Sequence, residues 1–493
     1  MPRKQRRRSD KSPLIINQND TLSSGNDAPV SISSSTGLFK IYKRRWYILG
    51  VFTALATVSN MQWNSWGPIS QPCQIAFGWA DWQILLLSSW IAVSMIVGAL
   101  PLTWLMDTKG LRCAVVLCAF LMTIGKAMQV IPASGATRLI LMNTGQFILM
   151  LGSPVSLGAP PSISATWFPP SERNTATAIA TLAAYLGIAL SFAIAPVMAP
   201  MVGPSGNSTM SRANGTTFMN VTYTDNDKEE MRSGIRNFML LELVVSGILF
   251  LMILVYFPSR PPIPPSLRSV KETPKYKDGL GRLLRNGSYW LLAVVFAISF
   301  GVYFGWLAVF ALAVKPFGIG ETKAGWLGCA GTMAGITSGI ILARCADYVQ
   351  HYTKNILMVL FLGTSLAQLF FSMTCSELIP YSEIVLFASI IVGGLFFNGT
   401  TPLMFELAME CVYPVAEGIT AVLLLVAGNV IYLAFQVAFM FPGVSVKWMN
   451  WFTVVATGIC VPALLFYKGK MSYFKLGLDE DKREETAKRL NTV

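Results

Sequence analysis

Runs of about 20 apolar residues, the length a helix needs to cross the hydrocarbon core of a bilayer, recur through the whole sequence. They begin near Trp46, Trp82, Arg112, Leu139, Thr175, Arg236, Ser288, Trp326, Asn355, Glu383, Gly418 and Trp448, which makes twelve if each spans once. In lipid every backbone N–H and C=O must be satisfied inside the spanning structure, so runs of this length specify helices. Twelve of them would use about 240 of the 493 residues. The sequence therefore predicts an all-α membrane protein with twelve transmembrane helices. A soluble core could not bury a chain that is 53% hydrophobic and 13% charged.

The same composition removes whole chemistries. His351 is the single histidine, which removes most constellations that depend on imidazole, His-rich metal sites above all, and disfavours Ser/His/Asp hydrolases. The eight cysteines include no CxxC pair, and nearly all lie in apolar runs where Cys behaves as a small hydrophobe. There is no GxxxxGK[ST], GxGxxG or GxSxG string. The expectation is a protein that is not an enzyme and takes neither metal nor cofactor.

A net charge of +13 would suggest nucleic acid in a soluble protein, but here its position carries the meaning. Lys and Arg concentrate in residues 1–45 and again in 258–286, which places both segments in the cytoplasm and leaves no role for nucleic acid. With a polar tail of about 45 residues first, the first helix acts as its own insertion signal. The expected organisation is a disordered cytoplasmic tail (1–45), a first six-helix half (46–257), a Pro-rich basic linker (258–286), a second half (287–467) and a cytoplasmic tail (468–493). Between helices five and six, the polar loop 201–234 carries sequons at Asn207, Asn214 and Asn220 and falls on the lumenal or extracellular side, where glycosylation occurs. The sequons at Asn19, Asn286 and Asn398 fall in cytoplasm or membrane and stay bare. The proline run from Phe257 to Pro265 reads as a stiff spacer or as an SH3 ligand.

Internal repetition supports the division. Phe168-Pro169-Pro170-Ser171-Glu172 matches Tyr413-Pro414-Val415-Ala416-Glu417 at an offset of 245, while Trp82 and Trp326 are 244 apart and Asp107 and Asp347 are 240 apart. Two six-helix halves in parallel repeat are the architecture of major facilitator transporters. Pro154, Pro160 and Pro161 interrupt the fourth run, Leu139 to Phe168, so this helix is expected to kink beside the transport site.

Met106-Asp107-Thr108-Lys109-Gly110-Leu111-Arg112 resembles the major facilitator signature G-x-x-x-D-R-x-G-R-R, with Arg344-Cys345-Ala346-Asp347 as its counterpart in the second half. Asp107, Arg112, Glu172, Arg173, Arg344, Asp347, Glu406 and Glu417 form the expected cytoplasmic gate; static helix caps and orientation charge are the alternative reading. Four further strings carry a closer resemblance: Trp63-Asn64-Ser65-Trp66-Gly67-Pro68-Ile69, Ala165 to Ala178, Phe257 to Ser266, and Phe405-Glu406 leading to Tyr413 to Thr420. Together they resemble solute carrier family 49, the relatives of the feline leukaemia virus subgroup C receptor. The proline run and the first string are most similar to a lysosomal member. That resemblance implies proton-driven export of a small metabolite from lysosomes, with pyridoxine (vitamin B6) as substrate. A plasma-membrane choline or haem carrier, or a transport-silent receptor or scaffold, are the rival readings.

Asp10-Lys11-Ser12-Pro13-Leu14-Ile15 fits the acidic dileucine pattern, through which Asp10, Leu14 and Ile15 would engage a clathrin adaptor for lysosomal sorting. For the substrate site the expected residues are Trp63, Asn64, Trp66, Ser153, Tyr303, Phe304, Trp306 and Asn429. Aromatic faces hold planar or cationic solutes, and polar groups inside a membrane helix are too costly to face lipid. In the choline-transporting relatives the resemblance implies glutamines where this chain has Ser153 and Asn429, with Trp63 and Phe304 matching aromatic positions. For a proton step, Glu242, set among Leu240, Leu241, Leu243, Val244 and Val245, is the expected carrier, ahead of Glu406, Glu410 and Lys126.

Overall fold

The computed structural model describes residues 40–169, 172–203, 205, 209–213, 216–220, 223–263, 265, 276–348, 352–412, 415, 417–440 and 447–467. The first half comprises α1 (Arg45–Asn64), α2 (Ser70–Phe77), α3 (Asp81–Lys109), α4 (Leu111–Val130), α5 (Gly135–Met150), α6 (Ser153–Gly158), α7 (Pro160–Trp167), α8 (Arg173–Met198) and α9 (Asp225–Val255). After a short helix α10 (Tyr276–Leu284), the second half comprises α11 (Gly287–Val314), α12 (Glu321–Tyr348), α13 (Thr353–Cys375), α14 (Glu383–Phe397), α15 (Thr400–Val412), α16 (Glu417–Met440) and α17 (Lys447–Leu465).

Eleven helical spans among the described residues are long and apolar enough to cross a membrane. The twelfth helix, α1, has 20 residues. It falls short on composition because Ser59, Asn60, Gln62 and Asn64 crowd its second half, and all four are buried in the bundle. The fourth crossing is broken into α5, α6 and α7, with proline in the first turn of both later pieces. Proline lacks the N–H that an interior turn needs but fits a helix start, so the breaks fall where the prolines are.

The sixth crossing departs from the expected onset near Arg236. It begins at Asp225, where Thr224 Oγ1 accepts from the Asp227 N–H and Asp227 Oδ2 accepts from the Thr224 N–H at 2.8 Å. This capping box adds three charged turns ahead of the apolar run. The loop before it holds an antiparallel hairpin, β1 (Thr209–Ala213) and β2 (Thr216–Asn220), with Thr209 opposite Asn220. Asn220 ends β2, while Asn207 and Asn214 lie outside the described residues.

The two halves pack alike. Within them α1 lies on α8 and α11 on α16; between them α3 lies on α16 and α12 on α8. Glycine permits the closest of these approaches. A Cβ at Gly187 of α8 would stand 2.0 Å from the Thr57 carbonyl oxygen of α1, and one at Gly301 of α11 would stand 2.6 Å from the Gly428 carbonyl oxygen of α16. Small residues at crossing points let membrane helices gain backbone contact where no hydrophobic effect drives association.

Candidate functional site

A cavity lies between the halves where α1, α3, α6 and α8 of one meet α11, α15 and α16 of the other. Its centre is aromatic. The Trp63 ring stands 6.3 Å from Phe304 and 6.0 Å from Tyr432, both edge-on, and Tyr185 stacks on Phe304 at 5.7 Å. Phe300 and Phe405 complete the wall. Two hydrogen bonds cross between the halves: Tyr185 Oη donates to Thr401 Oγ1 at 2.6 Å, and Tyr432 Oη donates to the Ser88 carbonyl at 3.4 Å. Trp63 Nε1 donates to that same carbonyl at 3.0 Å, which fixes the indole plane. The remaining space is about 30 Å³. That holds about two waters.

The polar groups of this cage are underused. Asn60 Nδ2 donates to the Ala56 carbonyl at 2.9 Å and Asn429 Nδ2 to the Leu425 carbonyl at 2.8 Å. Each amide is thereby held along its own helix, and its Oδ1 has no hydrogen-bond donor among the described residues. Thr181 Oγ1 is buried without a hydrogen-bond partner among the described residues. Among the described residues no charged side chain lines the cavity. An uncharged aromatic chamber with three spare polar oxygens is suited to a small flat solute that brings its own donors.

Of the substrate residues expected from sequence, Trp63, Phe304 and Asn429 line the cavity. The other five face elsewhere. Asn64 Nδ2 donates to Ser191 Oγ at 2.8 Å, Tyr303 stacks on Phe397 at 3.7 Å, and Trp306 Nε1 donates to Asn450 Oδ1 at 2.9 Å. Ser153 Oγ is buried without a hydrogen-bond partner among the described residues. Trp66 points into the first half, its ring 5.8 Å from Lys126 Nζ. The residues that sequence reasoning missed are Asn60, Thr181, Tyr185, Thr401 and Tyr432.

Glu242 does not reach the cavity. It lies within the first half between α1, α4 and α9, with Oε2 2.8 Å from Lys126 Nζ, and neither side chain is exposed to any degree. The pair is ionic by distance, with angles outside hydrogen-bond geometry. Glu242 Oε1 accepts from Ser65 Oγ at 2.6 Å, just past the end of α1. Gln62 of α1 donates to the Glu242 carbonyl at 3.4 Å, and its own carbonyl accepts from Gln146, which in turn accepts from Gln129. Two burials of opposite charge need each other, since either alone would be an uncompensated ion in a low-dielectric interior. The last turn of α1 thus presents Trp63 to the cavity and Gln62, with Ser65 beyond, to the ion pair.

The expected gate residues serve various roles. Arg45 pairs with Glu172 at 2.7 Å, joining α1 to the start of α8 inside one half. Arg112 donates to the Leu254 carbonyl at 3.2 Å and so caps the end of α9. Arg173 donates to the carbonyls of Phe168 and Ala165. Asp107 is exposed near the end of α3, and Glu406 is half-buried on α15. The side chains of Arg344, Asp347 and Glu417, with Asp10, Leu14 and Ile15 of the tail, lie outside the described residues. Among the described residues of this face, Met106 of α3 packs closely against Gly418 of α16 across the two halves.

Residues 47–435 match the Major Facilitator Superfamily. The chain is 34% identical over 448 residues to the solute carrier family 49 member 4 homolog of Xenopus laevis, covering 89% of this chain and 94% of that one. It is 28% identical over 404 residues to the choline/ethanolamine transporter FLVCR1 of Mus musculus, covering 80% and 69%. Among solved structures it resembles the transporter FucP in its outward conformation, with TM-score 0.63 and 13% identity over 87% of this chain and 100% of that one. A D-xylose-proton symporter gives TM-score 0.62 and 16% identity over 87% and 98%.

Proposed function

The chain belongs to the Major Facilitator Superfamily and, within it, to solute carrier family 49, and from that premise we propose that it carries pyridoxine out of lysosomes together with protons. The carrying observation is the cage: aromatic faces combined with the three spare oxygens of Asn60, Thr181 and Asn429. A hydroxylated pyridine ring stacks on the aromatics and donates to those oxygens. The second reading is choline, favoured by the same aromatic faces and by the name of the FLVCR1 relative. A quaternary ammonium with one hydroxyl would leave most of the spare oxygens unpaired, which weakens that reading. Either solute exceeds the present space, so its entry requires the halves to rock apart, as alternating access provides.

Proton coupling rests on Glu242. Protonation on the acidic side would neutralise the carboxylate, release Lys126 and loosen the Ser65 contact at the end of α1, whose other face carries Trp63. A proton would thereby alter the cage through one helix without touching the solute.

In this reading both termini and the linker are cytoplasmic, the hairpin face is lumenal with its sequons glycosylated, and the dileucine segment addresses the chain to lysosomes. Leu14→Ala with Ile15→Ala is expected to move the protein to the cell surface and, there, to give uptake of labelled pyridoxine that is faster at about pH 5 than at about pH 7.5. An unmoved double variant contradicts the sorting assignment, and uptake indifferent to acid contradicts proton coupling.

A further inference from the structure

On the hairpin face, above the cage, lies a larger open cavity of about 310 Å³. Its walls come from opposite halves: the segment from Gly67 through the start of α3 on one side, and the end of α11 with the turn after it on the other. Ser88 lies at its base, and the Ser88 carbonyl is the group that accepts from Trp63 and Tyr432. The floor of this vestibule is therefore the roof of the cage. Unlike the cage, the vestibule is charged. Asp81, exposed in the first turn of α3, accepts one hydrogen bond from Gln74, and its second oxygen has no partner among the described residues. Lys315, exposed directly after α11, has no partner among the described residues.

We propose that this vestibule is a second, transient binding site, which loads a small solute bearing separated positive and negative charge between Asp81 on one half and Lys315 on the other. Opposite charges on opposing walls orient such a dipole and concentrate it at the mouth of an otherwise neutral passage. The cage offers no counter-charge, so the solute must exchange ionic contacts for aromatic and hydrogen-bonding ones as it descends. Because the two charges ride on different halves, rocking alters their separation, and the site is dismantled as this face closes. Both charges also complement their helix ends, Asp81 at an N-terminus and Lys315 at a C-terminus, which keeps them tolerable without solute.

Choosing pyridoxine as the probe rests on the function proposed above; its ring nitrogen and ring hydroxyl can carry opposite charge. In proteoliposomes containing the full chain, Asp81→Asn and Lys315→Gln are each expected to raise the half-saturating concentration of labelled pyridoxine about fivefold at low salt, with a smaller change in maximal rate. High salt should raise the wild-type value towards those of the variants, because exposed charges are screened beyond about 10 Å at 0.1 M. Exchanging the pair, Asp81→Lys with Lys315→Asp, should return the value towards wild type. Saturable wild-type transport that neither substitution nor salt alters in half-saturation overturns the vestibule site and leaves pyridoxine transport standing. Equal losses in both variants at every salt concentration also overturn it, since they would report structure and not charge. No saturable pyridoxine transport by the wild type overturns the substrate reading and this site with it.

Discussion

Lys126→Met alone is expected to destabilise the protein by about 3–5 kcal/mol, because it strands the Glu242 carboxylate in the interior of the first half. Glu242→Gln alone should do comparable damage by stranding the ammonium. The two together should recover most of the loss, since replacing both members of a buried pair with neutral groups is often close to neutral in stability. Thermal unfolding of the purified protein in detergent, arranged as a double-mutant cycle, measures this directly. The cycle also separates two roles. If the pair is purely structural, the double variant regains transport along with stability. If Glu242 carries the coupled proton, the double variant is stable, and its transport no longer responds to acid. Additive losses in the cycle would show that the two charges do not compensate each other.

Trp63→Ala should have the largest effect on transport itself. Trp63 is 6% exposed and meets Phe304 and Tyr432 across the interface between halves, while its N–H is taken by Ser88. Deeply buried tryptophans at the centre of a recognition site commonly contribute about 2 kcal/mol or more, which is about thirtyfold in transport efficiency. Trp63→Phe keeps a ring face but loses the indole N–H, so it should fall between wild type and alanine. Trp306→Ala is the contrasting case. Trp306 is buried inside the second half against Phe371 and Asn450, away from the cavity, and its loss should lower stability more than solute affinity. Equal effects of the two alanines on half-saturation would show that the cage is not where solute binds.

The twelve apolar runs, their positive flanks and the near-constant offset between repeats made the fold legible, because bilayer thickness and backbone satisfaction permit few alternatives. The start of the sixth helix is less legible, since charged residues 225–232 read as loop, although Thr224 and Asp227 form the capping box that extends it. In the site, residue type was a good guide and helical phase was the missing element. Asn64 follows Trp63 by one residue, about 100° around the helix, and so points to Ser191 instead of the cavity. Asn60, three residues before Trp63, shares its face; Tyr432 follows Asn429 by three and Tyr185 follows Thr181 by four. Polar or hydroxylated residues at these spacings in otherwise apolar helices are the signal that finds the cage. The pairing of Glu242 with Lys126 joins α9 to α4 across 116 positions, and no local spacing announces it.

Competition in proteoliposomes between labelled pyridoxine and unlabelled choline tests most directly what the cage selects. Wild type should take up pyridoxine saturably and choline should displace it poorly, whereas Asn60→Ala with Asn429→Ala should lose pyridoxine uptake and narrow the difference between the two solutes. Choline that is transported in preference to pyridoxine, with the asparagine substitutions making no difference, would contradict the account.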